Sequence, residues 1–322
     1  MAKVGDHVLG VGVESTYGTA VNPSTRFEIV SEKLALKQDY IESKSLRAGQ
    51  RYLNKNNHVV GKKHVEGDIE LEIPSAGAGF WFKQLMGAVA TTTPAGATNR
   101  RLHTFTASSN LDGLWFTTEV QRTDVAGTAH KFTYTSCAVT DMEIACKAGE
   151  LATLTASVFG KDESVSAASA TSASYPTSTP LVFAGAAVQI GDAGGSVTTQ
   201  TNVSEFSVKI ENGRKTDRYF LGDNTPASPI EADMRSCEGK INVDWTGLTQ
   251  YNRFVNHSSV KIVAKFETQA VIEGSAKGYV QVTIPAAVFT GETPTGGGDI
   301  VEQSIDFKAL DDGTNEPVTI EY

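Results

Sequence analysis

Glu66-Gly67-Asp68-Ile69-Glu70-Leu71-Glu72-Ile73 decides how this chain is read, because its pattern returns as Glu238-Gly239-Lys240-Ile241-Asn242-Val243-Asp244-Trp245, 172 positions on. Polar and apolar residues alternate in both copies. That period of two makes a strand with one dry face and one wet face. A glycine stands at the same point of each copy, where a strand bulges or another backbone comes close. Upstream, Val30-Ser31-Glu32 recurs as Val203-Ser204-Glu205, and downstream Phe82 falls on Phe254. Three matches in order, at nearly one offset, predict an internally duplicated chain.

Working outward, the rest reads as strand and turn. Strand candidates are Phe27–Leu36, Val65–Ile73, Leu114–Gln121, Lys131–Val139 and Leu151–Phe159 in the first half. In the second they are Glu205–Ile210, Gly239–Trp245, Lys261–Thr268, Gly278–Pro285 and Val301–Leu310. Their alternation suits antiparallel sheets with one solvated face. Two stretches carry helical spacing: Ala76–Val89, with Phe80, Trp81, Phe82, Leu85 and Met86, and Thr246–Asn256, with Leu248, Tyr251 and Phe254. Ser75 and Thr246 are their expected caps. Residues 165–180, rich in Ser, Thr, Ala and Pro, read as a linker between a first domain (1–164) and a second (181–322). Thr91–Thr98 and Thr293–Gly298 read as loops within the domains.

Composition narrows the function. The 322 residues carry 28 Lys+Arg against 37 Asp+Glu, a net charge of −9, which argues against a general nucleic-acid binder. Cys137, Cys146 and Cys237 are too few for a disulfide framework and have no zinc-ligand spacing, so buried free thiols in a reducing, cytosol-like setting are expected. Signal-peptide and membrane-spanning patterns are lacking. The six histidines are scattered, and no phosphate-binding loop, dinucleotide fingerprint, nucleophile elbow or calcium loop is present. No catalytic, cofactor or metal residue is assigned, and an enzyme is not expected. Asp311-Asp312-Gly313 reads as a hairpin turn.

What stands out is architectural. Each half places a long polar loop before its Glu-Gly strand. The first, Asp39–His64, carries Lys44, Arg47, Arg51, Lys55, Lys62 and Lys63. The second, Asn212–Ser236, carries Arg214, Lys215, Tyr219, Phe220 and Leu221. Loops of this length in compact domains commonly bind something, and these residues are the candidates for contacts between subunits. The first loop is basic, whereas the chain from Glu292 onward is acidic. Opposite charges at opposite ends favour head-to-tail contacts, which build rings or filaments.

Gly12-Val13-Glu14-Ser15-Thr16-Tyr17-Gly18-Thr19-Ala20-Val21-Asn22-Pro23 resembles the G-x-E-x-x-Y-G-T-x-x-x-P opening of major tail tube proteins from long-tailed phages and prophages. The order of strand, Glu-Gly strand and helix is similar too. The resemblance implies a mainly β chain of two tandem tail-tube-like β-sandwich domains, each with a flanking helix and a long loop reaching a neighbouring subunit or ring. It implies copies that form rings stacked into a hollow tube, with DNA passing through without specific binding. A homotrimeric ring of pseudo-six-fold symmetry fits a duplicated chain, and a homohexamer is the alternative. Tape-measure, tail tip and tail terminator proteins are the implied partners, the virion tail the implied location, and the host cytoplasm the place before assembly. Competing readings are another virion component, such as a tail terminator or decoration protein, and a carbohydrate-binding or adhesive β-sandwich pair.

Overall fold

The computed structural model describes residues 7–45, 47–291, 294 and 300–322. The first half builds β1 (Val8–Val13), β2 (Thr25–Phe27), β3 (Ser31–Glu32), β4 (Ala35–Glu42), β5 (His58–Glu72), α1 (Gly79–Met86), β6 (Gly87–Thr92), β7 (Leu102–Ala107), β8 (Phe116–Thr123), β9 (Ala129–Lys147), β10 (Thr153–Gly160) and β11 (Asp162–Ser166). The second builds β12 (Val182–Asp192), β13 (Val197–Gln200), β14 (Val203–Glu211), β15 (Arg214–Lys215), β16 (Ile230–Glu231), β17 (Ser236–Asp244), α2 (Thr249–Val255), β18 (Val260–Glu273), β19 (Ala276–Phe289), β20 (Glu302–Ala309) and β21 (Thr319–Glu321). The fold is mainly β, as the alternation predicts, and the strand pairings are antiparallel.

The two halves share one order of pairing. In the first, neighbours run β1, β8, β9, β10, β5, β4. In the second they run β12, β18, β19, β20, β17, β14. Even the small strands agree: β2 pairs with β1 as β13 pairs with β12. The β6–β7 hairpin has no counterpart and accounts for the register drift after the helix.

Several elements differ from the sequence reading. The helices are shorter. Gly87 takes φ 92° and ends α1, and the chain returns at once as β6, so Thr91 and Thr92 belong to a strand. Neither helix has a side-chain cap; Ser75 instead accepts from Thr179 N–H (3.0 Å). Phe27–Leu36 is broken into β2, β3 and the start of β4, although β3 and β4 keep one register on β5 on either side of Gly67. A Cβ on Gly67 would overlap the Lys33 carbonyl, and one on Gly239 would overlap the Ser207 carbonyl and the Phe307 ring. Both glycines thus serve close backbone approach. The segment 165–180 is not free: Arg26 N–H donates to Ser174 O (2.9 Å), and Ala170 N–H to Gln121 Oε1 (2.9 Å). Thr293–Gly298 lies outside the described residues except for Pro294.

A core runs through both halves. On α1, Trp81 packs against Phe27 and Phe116 (ring centroids 5.4 and 5.9 Å), and Phe82 against Phe105 and Tyr322 (5.6 and 5.8 Å). β21 reaches back from the second half to pair with β7, aligning Ile320 with Phe105. Tyr322 then donates its hydroxyl to Pro74 O (2.8 Å) below α1. Cys137, Cys146 and Cys237 are free and buried, and burial pushes the Cys137 and Cys237 thiols up to about 12.

Candidate functional site

The halves are joined by a strand pair. The C-terminal part of β9 lies between β10 and β14, and β14 pairs with it from Glu205↔Lys147 to Glu211↔Asp141. One antiparallel sheet therefore continues through β4, β5, β10, β9, β14, β17 and β20. Cross-strand register keeps its faces separate. One face carries Ile69, Leu71, Leu154, Ala156, Met142, Ile144, Phe206, Val208, Ile241, Ile305 and Phe307, all buried. The other carries the alternating polar residues.

That outer face is predominantly acidic, with β10 showing only Thr153, Thr155 and Ser157 among the carboxylates. β5 contributes Glu66, Asp68, Glu70 and Glu72; β9, Asp141 and Glu143; β14, Glu205 and Glu211. β17 adds Glu238 and Asp244, and β20 adds Glu302 and Asp306. The lysines among them are Lys37, Lys147, Lys209, Lys240 and Lys308. Lys209 lies 2.9 Å from Glu211 and 3.3 Å from Asp141, and Lys308 lies 2.7 Å from Glu238. The Lys209 hydrogen bond holds the Glu211 carboxyl below its ordinary pKa despite some desolvation. Among the described residues no ion pair engages Glu72, Glu143, Asp244, Glu302 or Asp306. Like charges on one surface leave a negative field that these few ion pairs do not cancel.

The two long loops differ. Asp39–His64 is not a loop throughout: β4 and β5 continue into it as a hairpin arm, paired as far as Glu42↔His58, leaving Ser43–Asn57 as the tip. Tyr40 stacks on His58 (4.6 Å), while Tyr52 at the tip is 90% exposed. Lys44, Arg47, Arg51 and Lys55 all lie on this exposed tip.

The second loop is folded back onto the middle of β9, where Asn212 N–H donates to Thr140 O (3.1 Å). Asn212 is buried and donates to Val139 O (2.8 Å). Arg214 is buried too; it donates to Leu111 O (3.0 Å), and desolvation lowers it to about 10. Lys215 pairs with Ile230 in the β15–β16 ribbon. The loop's crown meets the base of the arm. Lys62 Nζ bonds Asp217 (2.8 Å) and sits 4.4 Å over the Tyr219 ring. Lys63 N–H donates to Asn224 O (2.9 Å), and its Nζ pairs with Asp162 (2.7 Å). Phe220 and Leu221 remain exposed beside Ile41 and Val60 around an open groove. The structure thus gathers Lys62, Lys63, Tyr219, Phe220 and Leu221 in one place. It sets Lys44, Arg47, Arg51 and Lys55 apart at the tip and turns Arg214 inward.

The N-terminal motif holds this arrangement. Glu14 is buried and accepts from Thr117 Oγ1 (2.6 Å), Ser136 N–H (2.8 Å) and Ser136 Oγ (2.6 Å). Gly18 N–H donates to Ser136 Oγ (2.6 Å). The motif is thereby fixed on β8 and β9, and Tyr17, edge-on to Trp115 at 5.3 Å, donates its hydroxyl to Pro226 O (2.9 Å). Sequence reading found the motif and missed its task, because the loop that it grips lies 209 positions away.

Among the described residues no group of three or more His, Cys, Asp or Glu is placed to hold a metal ion, and no helix is long and apolar enough to cross a membrane. The features are those of a building block: a broad charged face, a strand joint, one projecting arm and one loop folded against it. The chain belongs to the phage tail tube protein family, whose model matches residues 6–309. No curated protein matches it. The family is structural, and its members are components of the virion tail.

Proposed function

We propose that copies of this chain close into rings that stack as a hollow tube, with the acidic sheet face turned to the channel and DNA passing along it. The observation that carries this reading is the sheet continuing through both halves, apolar on one face and acidic on the other. The first half brings β4, β5, β10 and β9 to it, and the second brings the corresponding β14, β17 and β20, with β19 paired on β20. A barrel of six such units, at about four strands each, ~4.8 Å apart and tilted ~40°, is roughly 45–50 Å across at the backbone. Inward side chains leave room for a duplex. Carboxylates repel phosphates, so DNA slides rather than binds. Closure also pairs the sheet's edges, which would otherwise recruit other chains.

The shared strand order supports an internal duplication, with domains 1–164 and 181–322 around the segment 165–180. It favours three chains per ring over six. The protein acts without catalysis. It joins tape-measure, tail tip and tail terminator proteins in the tail after residing in the host cytoplasm. The test is electron microscopy of the concentrated chain. Rings or tubes are expected, with three-fold symmetry in end-on views. Six-fold views without a three-fold repeat would point to six chains. Monomers that bind glycans would overturn the conduit in favour of an adhesive module.

A further inference from the structure

The two halves share a strand order but differ in what lies beneath the helix. In the first half Trp81 of α1 packs on Phe27 of β2, and both are buried in one apolar core with Leu154 of β10. The second half is polar at the corresponding points. By the offset of 172 that aligns Phe82 with Phe254, Trp81 falls on Arg253. Leu154 stands across from Leu71, and Gln303 across from Val243, the residue 172 positions after Leu71. A buried leucine is therefore answered by a glutamine. The short strand β13, which pairs with β12 as β2 pairs with β1, brings Thr198 and Gln200.

These side chains surround a hollow of about 230 Å³. Its apolar lining is Ile190, Val243 and Ile305, all buried. Its polar lining is tied into one chain of hydrogen bonds. Arg253 donates to Asp192 Oδ1 (2.8 Å) and to Gln250 Oε1 (3.1 Å). Gln250 Nε2 donates to Gln200 Oε1 (3.4 Å), and Gln200 Nε2 to Thr198 O (3.0 Å). The Arg253 guanidinium is thus matched by a carboxylate. Asp244, at the rim, lies on the acidic outer face by strand alternation. Gln303 is the member left over. It is 4% exposed, it lines the hollow, and its side-chain amide has no hydrogen-bond partner among the described residues. A buried amide left unpaired is costly, so a group offering both a donor and an acceptor is wanted at this point. A polar hollow of this size holds water when nothing else occupies it.

We propose that this hollow binds a small neutral polyol, up to the size of one hexose. Each hydroxyl gives and takes a hydrogen bond, which is what the carboxamides of Gln200, Gln250 and Gln303 offer in return. Hydroxyls also replace the resident water bond for bond. The carbon side of such a molecule suits Ile190, Val243 and Ile305. With Arg253 already matched by Asp192, neither an anion nor a cation finds a free counter-charge, and its desolvation is not repaid. The volume is below that of pockets for drug-sized ligands. One ring fits; the extended glycan that an adhesive module would grip does not. The site lies within the second half of a single chain, so it stands independently of the ring assembly proposed above.

The test is saturation-transfer NMR on the whole chain, with glucose and glycerol as neutral probes and acetate and methylammonium as charged ones. Saturable transfer is expected for a neutral probe and none for the charged ones. Gln303→Leu gives the second half the residue that the first half uses at Leu154, so the fold is kept. It should weaken binding at least roughly five- to ten-fold, the worth of one neutral hydrogen bond, with the melting temperature unchanged or raised. Gln250→Ala, which favours the helix, should weaken binding by a similar factor and decides the matter where the first variant fails to fold. Transfer that survives both substitutions would overturn the site. So would transfer as strong for acetate or methylammonium, or no saturable transfer for either neutral probe, which would leave water as the only occupant. A maltose oligomer bound more tightly than glucose would overturn it as well, in favour of an open glycan-binding face. Rings and tubes are read separately in the electron microscope, so the failure of either reading leaves the other standing.

Discussion

The two long loops occupy equivalent places in the repeat and behave differently. The loop before β17 is pinned at Asn212, Arg214, Asp217, Tyr219 and Pro226. The tip before β5 is exposed throughout its basic residues. The chemistry of the loops does not explain this, since both mix cations with aromatics. What differs is the neighbour: the second loop rests on the first half of the chain, whereas the tip's hydrogen bonds run within the arm itself.

The comparison is broken most severely by undoing the internal joint. Phe206, on the buried face of β14, packs on Phe266 and Phe307 (5.9 and 6.1 Å). Phe206→Ala should cost ~3–5 kcal/mol in denaturant unfolding. Because the core is shared, spectroscopic probes in both halves should shift together; separate transitions would show that the halves are independent. Next, Gly239→Val should cost ~1–3 kcal/mol by forcing β14 away from β17, measured the same way, and Gly67→Val should act alike if the two glycines are equivalent.

Acid offers a third test. Glu32 is buried and bonded bidentately by Arg122 (3.0 and 2.9 Å). Burial alone would raise its pKa, but the hydrogen bonds from His7 and Arg122 outweigh it and hold the carboxyl below the ordinary value. A depressed carboxyl adds stability that is present above its unfolded pKa and lost as pH falls through the folded one. Melting temperature should therefore drop below about pH 4.5, and Glu32→Gln should be less stable at pH 7 with a flatter acid limb. Tyr17→Phe should cost only ~1 kcal/mol and make the loop around Pro226 more sensitive to protease. Deleting Arg47–Asn57 should change unfolding least of all, within ~0.5 kcal/mol, while preventing assembly in the electron microscope.

Much of this architecture was legible in single strands. Glu66–Ile73 and Gly239–Trp245 alternate strictly, so their wet and dry faces could be assigned without knowing their neighbours. β1, with glycines at Gly10 and Gly12, and β12, rich in small residues at Ala184–Ala187, gave no such signal, since the pattern depends on side-chain contrast. The acidic face was only half visible: each strand shows its own acids, but adjacency of β9 and β14 is a long-range pairing that no local pattern encodes. The arm was read as loop because its strands carry apolar residues on exposed positions, a departure from the rule that places functional surface where the pattern fails.

The closing of the first half's core by Tyr322 has a consequence for biosynthesis. Its hydroxyl receives the N–H of Ala78, 244 positions earlier (3.2 Å), and β21 completes the row beside β7. On the ribosome, the region below α1 must wait for the end of that stretch to emerge, however early its own residues were made. Contacts of such separation slow folding. They also mean that a truncated nascent chain lacks a finished first half, so incomplete translation products are poorly fitted to enter a growing assembly and stop it.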